Sequence, residues 1–289
     1  MNLLRENNLR KYLSGFVLLL FVIAPMPALH RPVASQNALS TPTGLMIPLY
    51  TYPGSTWQSV IQQKLVHPSV PIIAVVNPSN GPGYSRDSNY VSGIESLQKA
   101  SVIVIGYVHT SYGSRDPSVV TSDIQNWKQW YNVSGIFFDE MASVSGYENY
   151  YRGLVNYTNS LGMKLTVGNP GVAVPRSYMG IMTVLNIYEN IGLPSISALQ
   201  SWTTGYSKSN FALISFGISS ADRSFVGNAS KCVAWIFVTD ANLPNPYGQL
   251  PSYFAGLAAL FDNTTKSNLT TPQFSSHISP HNSIFLKLE

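Results

Sequence analysis

Charged residues are scarce in this chain, and cysteine is almost absent. Asp, Glu, Lys and Arg together make up 10% of the 289 residues, against ~25% in an average soluble domain. A single cysteine, Cys232, excludes a disulfide framework and a thiolate metal site within one chain. We expect a surface that is polar without being ionic, as in many extracellular proteins that handle neutral polymers, although the composition habits of a lineage explain it equally well.

The chain also lacks a basic face. Its formal net charge is +4, but the first 31 residues hold four basic residues against Glu6 alone, so the remainder carries only +1. We therefore predict no nucleic-acid partner. No second histidine stands at metal-ligand spacing from His109, so we expect no metal and no cofactor, and a metal-dependent deacetylase or phosphatase is disfavoured.

The N-terminus has the pattern of an export signal. A polar, basic segment precedes an apolar run whose uninterrupted core, Gly15–Ala24, is short for a membrane span of ~20 residues. We predict a signal peptide over residues 1–29, with an uncleaved membrane anchor as the alternative. Either one places the globular part in a secreted or extracellular-surface location. Residues 30–43 are predicted to be a linker and residues 263–289 a polar C-terminal tail.

From residue 44 onward, short apolar segments alternate with helix-like segments, which is typical of α/β folds. Eight apolar segments are the strand count of a (β/α)8 TIM-type barrel, so we predict one barrel domain over residues 44–262. A doubly wound sheet is the alternative, but no Gly-x-Gly-x-x-Gly follows the first strand. The stretch Val172–Met182 forms a weak helix, so irregularity is expected there.

The predicted strands are Leu45–Tyr50, Ile72–Asn77, Val102–Val108, Ile136–Asp139, Leu165–Gly168, Val184–Tyr188, Ala212–Phe216 and Trp235–Thr239. The predicted helices include Ser55–Val66, Tyr90–Lys99, Val119–Trp130, Tyr147–Leu161 and Pro251–Phe261.

Two adjacent carboxylates, Asp139 and Glu140, close the fourth predicted strand. Ligands meet α/β barrels at the carboxyl ends of the strands, so charge placed there directly after an apolar run indicates chemistry. Because successive strand residues point to opposite faces, both side chains cannot follow the strand into the barrel. If the strand ends at Asp139, Glu140 reaches over the rim from the loop. The alternative interpretation is a helix N-cap followed by a solvated acid.

Other strand ends carry polar and aromatic side chains that suit a sugar. Carboxylates would act on the glycosidic bond, amides on hydroxyl groups, and aromatic faces on the C–H surface of the ring. The candidates that we predict to bind substrate are Tyr50, Asn77, His109, Asn169 and Asp240, and Glu189 joins the catalytic candidates Asp139 and Glu140. Each has a structural alternative: a solvated charge for Glu189, turn closure for the two asparagines and Asp240, packing for Tyr50, and a structural role for His109.

Five blocks of the sequence resemble the spherulin-4 family. The blocks run in order from about residue 44 to residue 190 and are Ile47–Tyr50 with Tyr52-Pro53, Val76–Gly83, Gly106–Tyr112, Gly135–Glu140 and Asn169–Gly171. The resemblance implies a (β/α)8 barrel. It also implies an activity, since characterised members include fungal endo-acting hydrolases that cut α-1,4-linked N-acetylgalactosamine within galactosaminogalactan.

The resemblance also implies site residues. Family members use an Asp-Glu pair at the fourth strand and a further Glu downstream, which map onto Asp139, Glu140 and Glu189. We expect Asp139 to be the nucleophile or transition-state stabiliser and Glu189 the general acid/base, while Glu140 orients the site or shares the acid role. The family suggests retention of configuration; the residues alone leave retention and inversion open.

The expected protein is therefore an exported monomeric glycoside hydrolase whose partner is a polysaccharide substrate. One alternative is a non-catalytic carbohydrate-binding or cell-surface coat protein on the same barrel. Another is a hydrolase with the same mechanism that acts on a different glycan. The presence of three carboxylates at the predicted rim argues against a pure binder, which has no need of them.

Overall fold

Eight parallel strands close into a barrel in chain order, each paired with the next and β8 paired with β1. The computed structural model describes residues 41–267, with side chains to residue 262. The predicted leader, most of the predicted linker and residues 268–289 of the predicted tail lie outside the described residues. The predicted (β/α)8 barrel is confirmed.

The strands are β1 Gly44–Leu49, β2 Ile72–Val76, β3 Ile103–His109, β4 Gly135–Asp139, β5 Leu165–Gly168, β6 Val184–Ile191, β7 Phe211–Phe216 and β8 Trp235–Val238. The helices are α1 Ser55–Val66, α2 Ser88–Lys99, α3 Pro117–Asn126, α4 Glu148–Ser160, α5 Ile196–Thr203, α6 Arg223–Ala229 and α7 Phe254–Ser267.

All eight predicted strands are present, with ends that differ by a few residues at most. The main difference is β6, which continues past the predicted end at Tyr188 to Ile191. Between β5 and β6 the chain forms only a short 3₁₀ turn, Arg176–Tyr178, in agreement with the irregularity expected there. Helix α7 continues five residues past the predicted domain end, to Ser267, because its apolar face packs on the barrel before the polar residues begin.

The helices surround the barrel, and three of them begin at an aspartate cap. Asp87, Asp116 and Asp222 cap α2, α3 and α6, each accepting a hydrogen bond from a backbone N–H of the first turn. Such a cap satisfies donors that the helix itself leaves free. None of the helices in residues 41–267 combines the length and the apolar character needed to cross a bilayer.

A tryptophan outside the barrel, Trp127, fixes β3, a strand that contributes to the rim. At Gly106 of β3, a Cβ atom would lie 2.3 Å from the indole of Trp127, so only glycine lets that ring approach the strand. The Trp127 Nε1–H donates to the backbone oxygen of Tyr107 at 2.8 Å. Because Trp127 is fully buried, this contact anchors β3 at the residue whose side chain points into the barrel.

Candidate active site

An open pocket of about 430 Å³ lies at the carboxyl-terminal end of the barrel. The ends of β4, β5 and β6 form one side, and the loop after β8 forms the other. This is the end of the barrel at which (β/α)8 proteins bind ligands. The lining includes Tyr112, Asp139, Glu140, Asn169, Glu189, Leu243, Pro244 and Tyr247.

Asp139, the last residue of β4, points into the pocket and accepts two hydrogen bonds. The Tyr107 hydroxyl donates to Oδ2 at 2.7 Å, and Asn169 Nδ2 donates to Oδ1 at 2.6 Å. The Tyr107 ring stacks on Phe137, two residues earlier on β4, so both strands present the same face at this level. With a donor on each oxygen, the Asp139 carboxylate is held in one orientation.

Glu140 lines the same pocket although it follows Asp139 directly. Its backbone adopts the left-handed conformation with φ 49°, which is uncommon for a residue other than glycine. The turn is held from β3, because Thr110 Oγ1 donates to the Glu140 carbonyl at 2.8 Å and the Tyr112 N–H donates to it at 2.7 Å. Helix α4 begins only at Glu148, so neither carboxylate caps it and the N-cap alternative is excluded.

Glu189 reaches the pocket because β6 contains a bulge. Asn186 pairs with Ala212 of β7, but Glu189 pairs with Ile214, so three steps on β6 match two on β7. In a regular strand two residues three positions apart face opposite sides. The bulge removes that alternation, and both side chains hydrogen-bond to Asn169 inside the barrel. A bulge that re-aims a side chain is a known device near functional sites.

The surroundings of Glu189 favour its protonated form. Burial raises the pKa of this carboxyl group, and the negative charge of Asp139 raises it further. Hydrogen bonds to Glu189 from the Tyr247 hydroxyl, on the loop after β8, and from Asn169 lower the pKa and offset only part of that rise. A carboxyl group with a raised pKa beside an ionised one is the arrangement that separates an acid from a nucleophile.

One amide group connects the two carboxylates. Asn169 Nδ2 donates to Asp139 Oδ1 at 2.6 Å and to Glu189 Oε2 at 2.5 Å. The two acceptor oxygens can therefore lie no farther apart than the sum of those distances, about 5.1 Å. Asn186, which is fully buried, donates to Asn169 Oδ1 at 2.7 Å and so fixes which way the amide faces. Both N–H groups of the Asn169 amide therefore donate hydrogen bonds, and its carbonyl oxygen accepts one.

Tyr50, directly after β1, lies near the carboxylate pair, and its predicted contact with substrate stays a prediction. Its ring packs edge-on against Tyr107 at 5.6 Å and against Tyr247 at 5.5 Å. Burial, followed by the charges of Asp139 and Glu189, raises the pKa of Tyr50 well above its usual value. The three tyrosines therefore form a neutral aromatic layer beside the two acids.

Asn77 and His109 stand at the rim but bond to the loop after β2. Asn77 Oδ1 accepts from the Gly81 N–H at 3.1 Å, which closes a turn. His109 is the register partner of Asp139, yet its Nδ1 lies 3.0 Å from the Asn80 carbonyl oxygen. These contacts engage one polar atom of each side chain, and contact of Asn77 and His109 with substrate stays a prediction.

Asp240 follows β8 and also has its own partner within the chain. Both of its oxygens accept hydrogen bonds from Ser252, from the backbone N–H and from the hydroxyl group. This contact holds the loop after β8 against the start of α7. The structure thus brings Asp139, Glu140, Glu189, Asn169 and Tyr50 together, and it places Asn77, His109 and Asp240 around them.

Three residues that bond to the carboxylates or to the amide between them were not among the predicted site residues. Tyr107 precedes His109 by two positions on β3, so strand alternation alone indicates that it faces inward. Asn186 is a polar residue inside the apolar run of β6, which is itself a signal because buried amides need partners. Tyr247 comes from a long loop, and nothing in the local sequence indicates that it meets Glu189.

The polar groups of the pocket are carboxylates, amides and phenols. Within the described residues, no three side chains from His, Cys, Asp and Glu gather in a way that would hold a metal ion. Two opposed carboxyl groups, one with a raised pKa, can transfer a proton and stabilise positive charge or form a covalent bond at a carbon between them. The fold and this pocket define the protein as a (β/α)8 barrel with a carboxylate site at its carboxyl-terminal rim.

The chain belongs to Spherulation-specific family 4, because the sequence model of that family matches residues 44–261. Spherulin-4 of Physarum polycephalum is 34% identical over 240 residues, which cover 78% of this chain and 70% of spherulin-4. The resemblance read from the five sequence blocks is confirmed.

Among solved structures, Aspergillus clavatus Sph3 in complex with GalNAc has the same fold. The superposition has a TM-score of 0.72 and covers 78% of this chain and 99% of Sph3. The two sequences are 23% identical. At that identity the likeness establishes a shared barrel.

Proposed function

We propose that this protein is a retaining glycoside hydrolase that cuts within an exported polysaccharide containing α-1,4-linked N-acetylgalactosamine or galactosamine. One observation carries the proposal: Asp139 and Glu189, from strands two apart, converge on a single amide at the floor of an open pocket. A glycosidase needs two such carboxyl groups that differ in protonation.

In the proposed reaction Glu189 is the general acid and then the general base. Its raised pKa supports this role, because the group must hold a proton when substrate binds. Tyr247 and Asn169 each use one lone pair of a Glu189 oxygen, and the remaining lone pairs can carry the transferable proton. Glu189 protonates the leaving oxygen as the glycosidic bond breaks, and later takes a proton from the attacking water.

Asp139 is the proposed nucleophile. Tyr107 and Asn169 hold both of its oxygens, so its orientation is set before substrate arrives. It attacks the anomeric carbon and forms a covalent glycosyl–enzyme bond, which water then hydrolyses. The limit of about 5.1 Å between the nearest oxygens of the pair supports retention, for which carboxyl groups lie ~5–5.5 Å apart, against ~6.5–9.5 Å for inversion.

Glu140 is proposed to orient the substrate or to share the acid role. Among the described residues, none donates a hydrogen bond to its carboxylate, although that group lines the pocket. A half-buried carboxylate without a protein donor is available to a substrate hydroxyl or amide. The strained backbone that places it there favours a role in the site.

The substrate class rests on the family and on one relative. The chain belongs to Spherulation-specific family 4, and Sph3, which shares its fold, binds GalNAc. The aromatic rings and carboxylates of the pocket suit a sugar that carries an acetamido or amino group. We place the activity outside the cell, in agreement with the leader that the N-terminal sequence predicts.

The test is release of reducing ends from α-1,4-linked galactosamine polymers of graded acetylation. Asp139→Asn and Glu189→Gln should each lower turnover by about 10³-fold or more while the protein stays folded. Asp222→Asn is the matched control, because this exposed carboxylate only caps α6 and asparagine caps equally well. Full activity in either site variant would refute its catalytic role.

A carbohydrate-binding or coat protein on the same barrel is the alternative that this assay separates. Such a protein would bind the polymer and release no reducing ends. Substitution of Asp139 by Asn would then change affinity alone. An enzyme acting on a different glycan would cleave a different polymer and show the same dependence on Asp139 and Glu189.

A further inference from the structure

An exposed tyrosine stands at the edge of the pocket in a backbone conformation that tyrosine rarely adopts. Tyr112, in the loop after β3, has φ 55° and ψ 34°, and the preceding residue Ser111 has φ 46°. Left-handed backbone is unfavourable for a residue other than glycine, because its Cβ atom crowds the neighbouring carbonyl oxygen. The Tyr112 side chain is 64% exposed, so packing within the described chain does not account for the residue type.

The turn that carries Tyr112 is nevertheless rigid. The N–H groups of Gly113 and Arg115 both donate to the Thr110 carbonyl, at 3.0 and 3.2 Å. Gly113 has φ 84°, and a Cβ atom there would lie 2.4 Å from the ring of Tyr147, which packs against the turn from behind. Strain that is held in place by many contacts, and that lies at a binding pocket, is typical of a functional constraint.

The same turn fixes the backbone of Tyr112 relative to Glu140. The Tyr112 N–H donates to the Glu140 carbonyl at 2.7 Å, so the two left-handed residues are joined by their backbones. Tyr112 therefore lines the same pocket as Asp139, Glu140 and Glu189, with Leu243 and the loop after β8 on the other wall. A ring carried on a rigid backbone loses less conformational entropy when a ligand stacks on it than a ring on a mobile loop.

We propose that Tyr112 is the stacking platform of a second sugar subsite, which holds the residue next to the one whose bond is cleaved. The inference rests on the proposed function and adds a subsite to it. An aromatic face presents an apolar surface that matches the C–H face of a pyranose ring, as in other amphipathic aromatic contacts. Binding energy gained away from the reacting bond can raise turnover, so the platform should matter more as the substrate lengthens.

The test compares kcat/KM on α-1,4-linked galactosamine oligosaccharides of increasing length. For the wild-type protein kcat/KM should rise with length. Tyr112→Ala should remove most of that rise, with a loss of about 10-fold or more on long chains and much less on the shortest cleaved one. Tyr112→Phe, which keeps the ring, should behave as wild type. Tyr84→Ala is the matched control, because Tyr84 is 98% exposed and lies outside the pocket lining.

A glycine variant separates binding from folding. Tyr112→Gly relieves the left-handed strain, so its melting temperature should equal or exceed that of the wild type while its activity on long chains falls as in Tyr112→Ala. Equal losses at every length, or no loss in either variant, would overturn the proposed subsite. So would a loss in Tyr84→Ala as large as that in Tyr112→Ala.

A binding measurement keeps the platform testable without catalysis. In affinity electrophoresis through gels that contain the polymer, the wild-type protein should be retarded and Tyr112→Ala should migrate faster. If the wild-type protein binds the polymer but never cleaves it, the proposed hydrolase function fails and the platform stands. If Tyr112→Ala is retarded as strongly as the wild type, the platform fails whatever the activity.

Discussion

Strands β4 and β6 both deliver a carboxylate to the pocket, but by different means. β4 is regular: it pairs in unbroken register with both neighbours, and its last residue, Asp139, follows the alternation of the strand. β6 is bulged between Asn186 and Glu189, and only the bulge turns Glu189 inward. The regular strand places its acid by local geometry, whereas the bulged strand depends on its neighbours.

The two carboxylates also differ in how they are supported. Asp139 accepts hydrogen bonds from Tyr107 of β3 and from Asn169, the residue directly after β5, and both belong to the barrel itself. Glu189 depends on Tyr247 from a long loop, and burial raises its pKa. The strand with the regular geometry therefore holds the proposed nucleophile, and the irregular one holds the proposed acid. Asn169 is the group that joins them.

Among changes to the groups that support the two carboxylates, the largest effect should come from removing that joining amide. Asn169→Ala deletes one donor from each carboxylate, so Asp139 and Glu189 are left close together without their shared hydrogen bonds. We expect turnover to fall by about 10²–10³-fold, comparable to the loss of one preorganised donor at a transition state. The measurement is reducing-end release, with circular dichroism to confirm the fold. Activity within a few-fold of wild type would show that the two strands position their acids independently.

A smaller effect should distinguish the β6 acid from the β4 acid. Tyr247→Phe removes a hydrogen bond that lowers the pKa of Glu189, so that pKa should rise. The alkaline limb of kcat/KM against pH, which reports the acid of the free enzyme, should shift to higher pH, with a rate loss of about 2–10-fold. Tyr107→Phe removes a donor from Asp139 instead and should leave that limb in place. An identical shift in both variants would contradict the assignment of the acid to Glu189.

The smallest expected effect is on stability. Because the pKa of Glu189 is higher in the folded protein than in the unfolded chain, ionisation of Glu189 destabilises the fold as pH rises through the folded pKa. Glu189→Gln cannot ionise, so its melting temperature should exceed that of the wild type at neutral pH. The difference should shrink as pH falls from the folded pKa towards about 4.3, the pKa of an unfolded-chain Glu, and should be absent below that pH. A constant difference between the two proteins across that range would show that burial of this charge costs nothing.

The chain's own residues determined most of the fold. Apolar runs with strand periodicity, separated by helix-like segments, correspond to all eight strands, because most strand residues are buried on both faces of the sheet and are therefore apolar. The same logic located Asp139, since a charge that ends an apolar run lies at the rim. Asn169 was found for the same reason, although its partners turned out to be the two carboxylates and the Asn186 amide.

Only the tertiary structure decided which way the side chains of the acids point and which residues from distant parts of the chain contact them. The β6 bulge, the left-handed turn at Glu140 and the contact from Tyr247 each depend on hydrogen bonds between segments far apart in the chain. Local periodicity carries no information about such bonds, because they form only after the barrel closes. The sequence therefore specified which acids reach the rim, and closure of the barrel specified which way they face.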